Sequence, residues 1–271
     1  MGERQAVESV NRPVTTDRLC EDLRALGVDA GQTLICHSSL SALGWVNGGP
    51  PAVVDALMSV VTASGTIVMP THTTQYSDPT HWSDPPVPAS WIDPIKRTRP
   101  PYRPPITPSR GMGAVAECFR TYPEVIRSDH PVYSFAAWGA DAPAIVGTHP
   151  FDDPLGPSSP LGEVYDRDGL VLMLGTDHET NTSLHLAEHL TPIELPRTEL
   201  TVPIVHEGDR TDITFTGLDV SSHDFADVGA AFEGEHPVEV GPVGTSTSRL
   251  LAQRPLVDFA AEWFTRHRSS E

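Results

Sequence analysis

Directly after the apolar run Gly169–Leu174, the segment GTDHETNTSLHLAEH (175–189) brings His178, Glu179, His185, Glu188 and His189 together with Asn181, Thr182 and Ser183. Two chemistries fit it. His185, Glu188 and His189 spell H-x-x-E-H, in which histidines four residues apart share one helix face and can bind zinc while the glutamate acts as base. A catalytic zinc needs a third protein ligand, which spacing alone does not assign. In the other reading His185 works without metal as a general base, because imidazole titrates near neutrality, and Asn181, Thr182 and Ser183 orient substrate or backbone at the helix start. A histidine with no catalytic part is the third reading.

Two further segments offer donors to an anion. HSSLSALGWVNGG (37–49) combines hydroxyls, glycines and the start of a helix, a set that suits a pyrophosphate. It contains neither GxxxxGK[ST] nor GxGxxG. TPSRGMG (107–113) sets Arg110 among glycines before another helix and reads as a second phosphate grip. An acid-rich stretch follows later, with Asp212, Asp219, Asp224, Asp227, Glu233, Glu235 and Glu239 around His223. Most of it reads as solvated, with one or two carboxylates left to orient a catalytic histidine or hold a substrate ammonium. Cys36 ends an apolar strand and Cys118 sits on a helix, surroundings that do not activate a thiolate, so an acyl-cysteine mechanism is not expected.

The elements that must position these groups alternate between strands and helices. Thr16–Leu26 has leucines at helical spacing and stops at Gly27. Thr33–Cys36 reads as a buried strand, Ala52–Val61 as a helix behind Pro50 and Pro51, and Gly65–Met69 as the next strand. Strand, helix, strand in this order is a βαβ unit and predicts parallel pairing. Residues 78–108 are crowded with prolines among Trp82, Trp91 and Tyr102, which excludes a central strand and suggests an ordered lid. Gly113–Tyr122 and Thr182–His189 read as helices, Tyr133–Trp138 and Gly169–Leu174 as strands. Thr201–Val205 and Thr211–Phe215 flank a Glu207-Gly208-Asp209 turn and predict a hairpin. Thr247–Arg266 reads as helical with a break near Pro255. The expected fold is α/β: a central, largely parallel or mixed sheet flanked by helices, with a proline-rich lid and a C-terminal hairpin-plus-helix region. One domain is expected over 1–271, with an ordered loop at 78–108 and an acidic hairpin subregion at 197–240.

Composition narrows the classes. The 36 acidic residues against 18 basic ones leave a net charge of −18 with histidine neutral, which argues against a nucleic-acid partner and favours a cationic one. No apolar run is long enough to span a bilayer, so no membrane partner is expected. Met1–Val14 is polar and shows no secretory h-region, and three cysteines without a CxxC pair suggest reduced thiols, so the expected compartment is the cytoplasm.

Taken together, HSSLSALGWVNGG (37–49), GTIVMPTHT (65–73), DPTHWSDPPVPASW (78–91), TPSRGMGAVAE (107–117), RSDHPVYSFAAWG (127–139), SPLGEVYDRDGLVLMLG (159–175) and NTSLHLAEH (181–189) resemble the aminoglycoside 3-N-acetyltransferase family, in its order and at its spacing over roughly 15–265. The resemblance implies direct acetyl transfer from acetyl-CoA, a co-substrate, to the 3-amine of a deoxystreptamine ring, without a covalent enzyme intermediate or a metal, and a part in antibiotic resistance. It implies that the coenzyme lies along His37, Ser38, Ser39, Ser41 and Val46 and near Arg110, Met112 and Gly113. It puts the catalytic histidine on His185 and orienting or substrate-binding acids on Glu188 and within Asp219–Asp224. It also implies that the stretch Tyr76–Asp84, with Tyr76 and Asp78, faces the drug, and that the protein acts as a monomer or homodimer. A zinc hydrolase built on His185, Glu188 and His189 is the alternative enzyme, and a non-catalytic binder of polycations is the alternative outside enzymes. The chemistry suits the family: a sugar ammonium must lose a proton before attacking a thioester, and a carboxylate-held imidazole can take it. The carbonyl oxygen then needs donors, for which serines and glycines of the first loop, or Thr182 and Ser183, are candidates.

Overall fold

A computed structural model describes residues 3–8, 10–83 and 85–268. Its strands are β1 (Thr33–Ser38), β2 (Thr66–Pro70), β3 (Ile126–Arg127), β4 (Phe135–Gly139), β5 (Leu170–Leu174), β6 (Arg197–His206), β7 (Asp209–Leu218), β8 (Glu239–Val243) and β9 (Ser246–Ala252). Its helices are α1 (Glu3–Glu8), α2 (Thr16–Ala25), α3 (Pro50–Val61), α4 (Ile92–Thr98), α5 (Gly113–Phe119), α6 (Ala142–Gly147), α7 (Pro160–Asp166), α8 (Leu184–Leu190), α9 (Phe225–Glu235) and α10 (Gln253–His267).

Seven strands form one sheet in the order β3-β4-β2-β1-β5-β9-β8. Its centre is parallel, with β1 between β2 and β5, and its flanks are antiparallel. The sheet is therefore mixed. Because side chains alternate along a strand, Leu34, Cys36, Ile67, Met69, Leu172 and Leu174 pack in a core with α2, α3 and α5. Ile35, Val68, Val171 and Met173 point the other way, into a core shared with α6 to α10. Burial on both faces explains why TLIC and LVLML read as continuous apolar runs instead of alternating ones. β1 hands the chain to α3 on one face and β5 hands it to α8 on the other, so a crevice opens at their carboxyl ends.

The βαβ unit, the helix stop at Gly27 (φ +102°) and the strand after it stand where the sequence puts them. The hairpin β6–β7 is longer than expected and turns through Glu207 (φ +51°) and Gly208 (φ +90°), the two positive-φ positions a tight hairpin turn requires. Three readings are corrected. Residues 246–252 form β9, paired antiparallel to β5, because Ser246, Ser248 and Leu250 alternate toward the interior. Pro255 does not break α10; it lies in its first turn, where an N–H has no helical acceptor to lose. The proline-rich segment is ordered but is not a lid over the crevice. Tyr102 donates its backbone N–H to Pro203 O (2.8 Å), docking the segment on β6. There Tyr76, Tyr102, Val132, Val202 and Phe215 form a third small core. Among the described residues no helix is long and apolar enough to cross a membrane.

Helix α10 is held by Leu256, Val257, Ala260 and Phe264, all fully buried. Phe264 also carries the Arg268 guanidinium 3.7 Å from its ring centroid. Phe264→Ala should cost about 3–5 kcal/mol and loosen the segment after α10; urea unfolding measures the first and amide exchange at Arg268 the second.

Candidate active site

The crevice holds a cleft of about 1000 Å³. Its floor and one wall come from the end of β1 and the loop to α3, including His37, Ser38, Ser39, Ser41 and Val46. Pro70 ends β2 and His72 follows it, Gly111–Ala114 span the approach to α5 and its first residues, and Thr176, Glu179–Thr182 and His185 come after β5. Ser222 and Phe225 complete it from the start of α9. Glu179 is the one carboxylate among the described lining residues.

His185 and Glu188 lie three apart on α8, so they share a face while Leu184, Leu186 and Ala187 turn into the core. The helix is anchored at its start. Asn181 Oδ1 accepts from Ser183 N (3.1 Å), and Gln253 Nε2 donates to Ser183 Oγ (3.1 Å). His185 Nδ1 is 2.6 Å from Glu188 Oε2, and its ring packs 4.8 Å from that of Phe225. The other oxygen, Oε1, accepts from Arg268 Nη1 (2.6 Å) and Ser221 N (3.2 Å). Arg268 in turn donates through Nε and Nη2 to the two oxygens of Asp224 (2.7 and 2.6 Å) and through Nη2 to Ser221 O (3.1 Å). A carboxylate paired with arginine can only accept, so Nδ1 of His185 carries the hydrogen and Nε2 is left as a lone-pair base. Side-chain exposure is 17% for His185, 1% for Glu188, 11% for Arg268 and 10% for Asp224, which puts the carboxylate behind the ring and the ring at the cleft. Burial by itself would lower the Arg268 guanidinium, but its hydrogen bonds to Asp224 and Glu188 raise it instead.

Two more histidines face the cleft. Burial, reinforced by the neighbouring His185, lowers His37 to about 4 and His72 to about 3, so both are neutral at physiological pH. The Nε2 of each is buried without a hydrogen-bond partner, as is Thr176 Oγ1. Burial pushes the Cys36 thiol up to about 12, which agrees with its reading as inert.

Of the residues singled out in the sequence, His37, Ser38, Ser39, Ser41, Val46, Met112, Gly113 and His185 line this cleft. Glu188 is brought to it through the His185 ring. The others are placed elsewhere. Arg110 stacks on Trp82 (5.3 Å) outside the lining, its backbone N–H donating to His72 O. Tyr76 is buried beside Tyr102 and donates to Pro100 O (2.9 Å), so it is part of the hairpin core and outside the cleft lining. Asp78 is tied by Lys96 (2.7 Å) and Thr80; these outweigh the burial that would raise it and bring it to about 2. Asp84 lies outside the described residues. Asp219 is exposed away from the cleft, and Asp224 is consumed by Arg268. Ser183 is fully buried as the anchor of α8 and offers no donor to a ligand. The start of α3 offers few N–H groups: Pro50 and Pro51 have none and Ala52 N donates to Gly49 O (3.1 Å).

The zinc pattern is corrected by the same geometry. His189 turns away from His185, toward Asp153 (3.9 Å) and Gly156, and lines two other clefts. Among the described residues no three histidine, cysteine, aspartate or glutamate side chains gather as a metal ligand set. Arg268, Asp224 and Glu179 are the residues the sequence reading did not assign these places. Glu179 carries a signal in its position in the 175–189 segment and Asp224 in the acid-rich stretch around His223, where it is expected to orient the histidine or bind substrate; Arg268 carries none.

Residues 35–265 match the family model described as aminoglycoside 3-N-acetyltransferase. The SPbeta prophage-derived aminoglycoside N(3')-acetyltransferase-like protein YokD of Bacillus subtilis (strain 168) is 46% identical over 98% of both chains. Its crystal structure superposes with a TM-score of 0.94 at 45% identity over 99% of each chain. Aminoglycoside N(3)-acetyltransferase VII of Streptomyces paromomycinus is 34% identical over 97% of this chain and 96% of its own. A structure of AAC-IIIb in binary complex with CoASH matches with a TM-score of 0.85 at 27% identity, covering 96% and 99%. AAC-VIa bound to sisomicin matches at 0.84 and 31% identity, covering 95% and 100%.

The buried histidines have a consequence for stability. His37, His72 and His149, the last also near 4 through burial, stay unprotonated in the fold at pH values where the unfolded chain, at the ordinary 6.5, takes up protons. Stability is therefore complete above pH 6.5 and falls as pH drops from there toward 4, by about 1.4 kcal/mol per pH unit for each such group. Carboxylates held low, such as Asp78 and Glu117 at about 2, lose their stabilisation only as pH falls through the ordinary 3.8 and 4.5, at the acid end of this window and below it. Urea midpoints between pH 7.5 and 4.5 should show the slope, and His37→Gln should reduce it by about one proton's worth.

Proposed function

The chain belongs to the aminoglycoside 3-N-acetyltransferase family, and from that premise we propose that it acetylates the 3-amine of a cationic aminoglycoside with acetyl-CoA, His185 acting as general base. The observation that carries this reading is the His185–Glu188 pair at the wall of the cleft, with Nδ1 bound at 2.6 Å and the ring among the lining residues. The structures described with CoASH and with sisomicin support the two ligands.

The cleft suits a coenzyme. A Cβ at Gly49 or Gly111 would meet nothing within 4 Å, which leaves open space beside left-handed backbone (φ +63° and +81°) that only glycine takes readily. Ser39 and Ser41 offer hydroxyls, while Val46 and Met112 give apolar wall for an extended thiol arm. When bound, acetyl-CoA supplies an activated acetyl thioester. The chain's part is to hold the amine and receive its proton. Glu188 keeps His185 in the tautomer whose Nε2 accepts that proton and stabilises the imidazolium that results. Glu179 holds an ammonium of the acceptor, and Thr176 and Thr182 stand nearby as hydroxyl donors. The surplus of 18 negative charges draws a polycation toward the cleft, less so as salt rises. We place the enzyme in the cytoplasm, where acetyl-CoA is made and thiols such as Cys20, Cys36 and Cys118 stay free. It would act there as monomer or homodimer and confer aminoglycoside resistance.

His185→Ala should lower kcat for thiol release by about 10²-fold or more while leaving the Kd for acetyl-CoA, read by calorimetry, within about twofold. A variant that turns over at the normal rate refutes the mechanism. Glu179→Gln should raise KM for the aminoglycoside several-fold, with little change in KM for acetyl-CoA and a weaker dependence on salt; equal effects on both substrates would remove Glu179 from acceptor binding.

A further inference from the structure

Glu188 has two oxygens and His185 uses one. The second is held by Arg268, which reaches it from the far end of α10, and Arg268 spends its remaining donors on Asp224 and on the carbonyl of Ser221. Counted as charges, Glu188 and Asp224 contribute two negatives and Arg268 one positive. The set is −1 when His185 is neutral and zero when His185 is protonated. Were Arg268 alone behind Glu188, the pair would already be neutral and a protonated ring would add an uncompensated positive charge to a mostly buried site.

We propose that Arg268 and Asp224 are positioning residues of this site: Arg268 fixes the orientation of Glu188, and Asp224 returns the negative charge that Arg268 would otherwise cancel, so that His185 can hold a proton. The proposal rests on the reading of His185 as base. The other groups facing His185 do not supply that charge. His37 and His72, across the cleft, are neutral, and the Phe225 ring is apolar. His189, farther along α8, is lowered by burial and is turned toward Asp153. Glu179 lines the cleft but is exposed to solvent, and Asp219, also exposed, is felt together with Glu188 by the Tyr133 hydroxyl, which burial chiefly raises. His223 is 3.9 Å from Asp224 and 70% exposed, where solvent weakens its effect.

The test is the titration of the His185 imidazole by NMR in the ligand-free protein, with signals assigned by His185→Gln, alongside the pH profile of kcat/KM. Ordered by net charge behind the ring, Asp224→Asn is 0, the wild type −1, Arg268→Gln with Asp224→Asn also −1, and Arg268→Gln −2. The midpoint should fall by on the order of one pH unit, about tenfold in proton affinity, in Asp224→Asn. It should rise in Arg268→Gln and return near the wild-type value in the double variant, whose turnover stays low because Glu188 has lost its fork. If Asp224→Asn does not fold, Arg268→Gln against the double variant still tests the order. Midpoints that do not move, or move without regard to net charge, overturn the proposal. Midpoints that follow the order while the acid limb of the rate profile stays in place sustain the network and refute His185 as base, which separates the two failures.

Discussion

The Glu188 carboxylate is the constraint around which this site is built. A carboxylate almost wholly withdrawn from water is costly unless each lone pair facing the protein is met by a donor. Glu188 meets three: the His185 ring N–H, a guanidinium N–H of Arg268 and the backbone N–H of Ser221. Each comes from a different part of the chain. Satisfying one buried charge therefore ties α8, the segment leading into α9 and the residue after α10 into a single arrangement. The same bonds that pay for burial also orient the imidazole.

The sheet supplies the other half. β1 and β5 are neighbours in register, His37 beside Met173 and Ser38 beside Leu174, so the loops leaving them diverge to opposite faces at one edge. The divergence opens the crevice, and the loop glycines keep it open. At Gly44 a Cβ would lie 2.7 Å from Val10 Cγ1, and at Gly113 3.2 Å from Ser38 O, so the chain can pass this close only where no side chain stands. The cleft walls are thus set by backbone, and the His185 ring is set by a helix anchored at both Ser183 and Glu188. A ring so anchored is held to a narrow geometry, the kind that proximity-driven acyl transfer needs.

Much of this was legible before any coordinates. Strands buried on both faces announce themselves as apolar runs, and a helix behind two prolines or before a glycine has marked ends, so the parallel centre of the sheet could be read from local signals. β9 could not be, because a short run with serines and leucines has no decisive period and owes its form to pairing with β5. α9 hid among acidic residues, its face carried by Phe225, Val228, Gly229 and Phe232. In the site, His185 and Glu188 were legible because their spacing is local. Arg268 was not, since its partners are 44 and 80 residues away. The placement of Tyr76 in a core and of Asp78 against Lys96 was hidden for the same reason: the type of a residue does not disclose whether the fold buries it or gives it a counter-ion first.

The charge of the whole chain and the charge of the cleft do different work. Asp78, Glu117, Asp153, Glu163 and Asp168 are already paired with lysine or arginine, and only Glu179 among the described lining residues offers a carboxylate to the cleft. Global charge of −18 acts at range and in proportion to what salt leaves unscreened, raising the rate of encounter with a polycation. It would not choose which amine meets Nε2 of His185 on the proposed mechanism. That choice falls to short-range contacts within a wall of serines, glycines and apolar side chains, and one carboxylate cannot hold several ammonium groups at once. On the proposed reading, acceptor selection would rest on how the sugar's shape fits between the β1 loop and the segment after β5, with charge bringing it there.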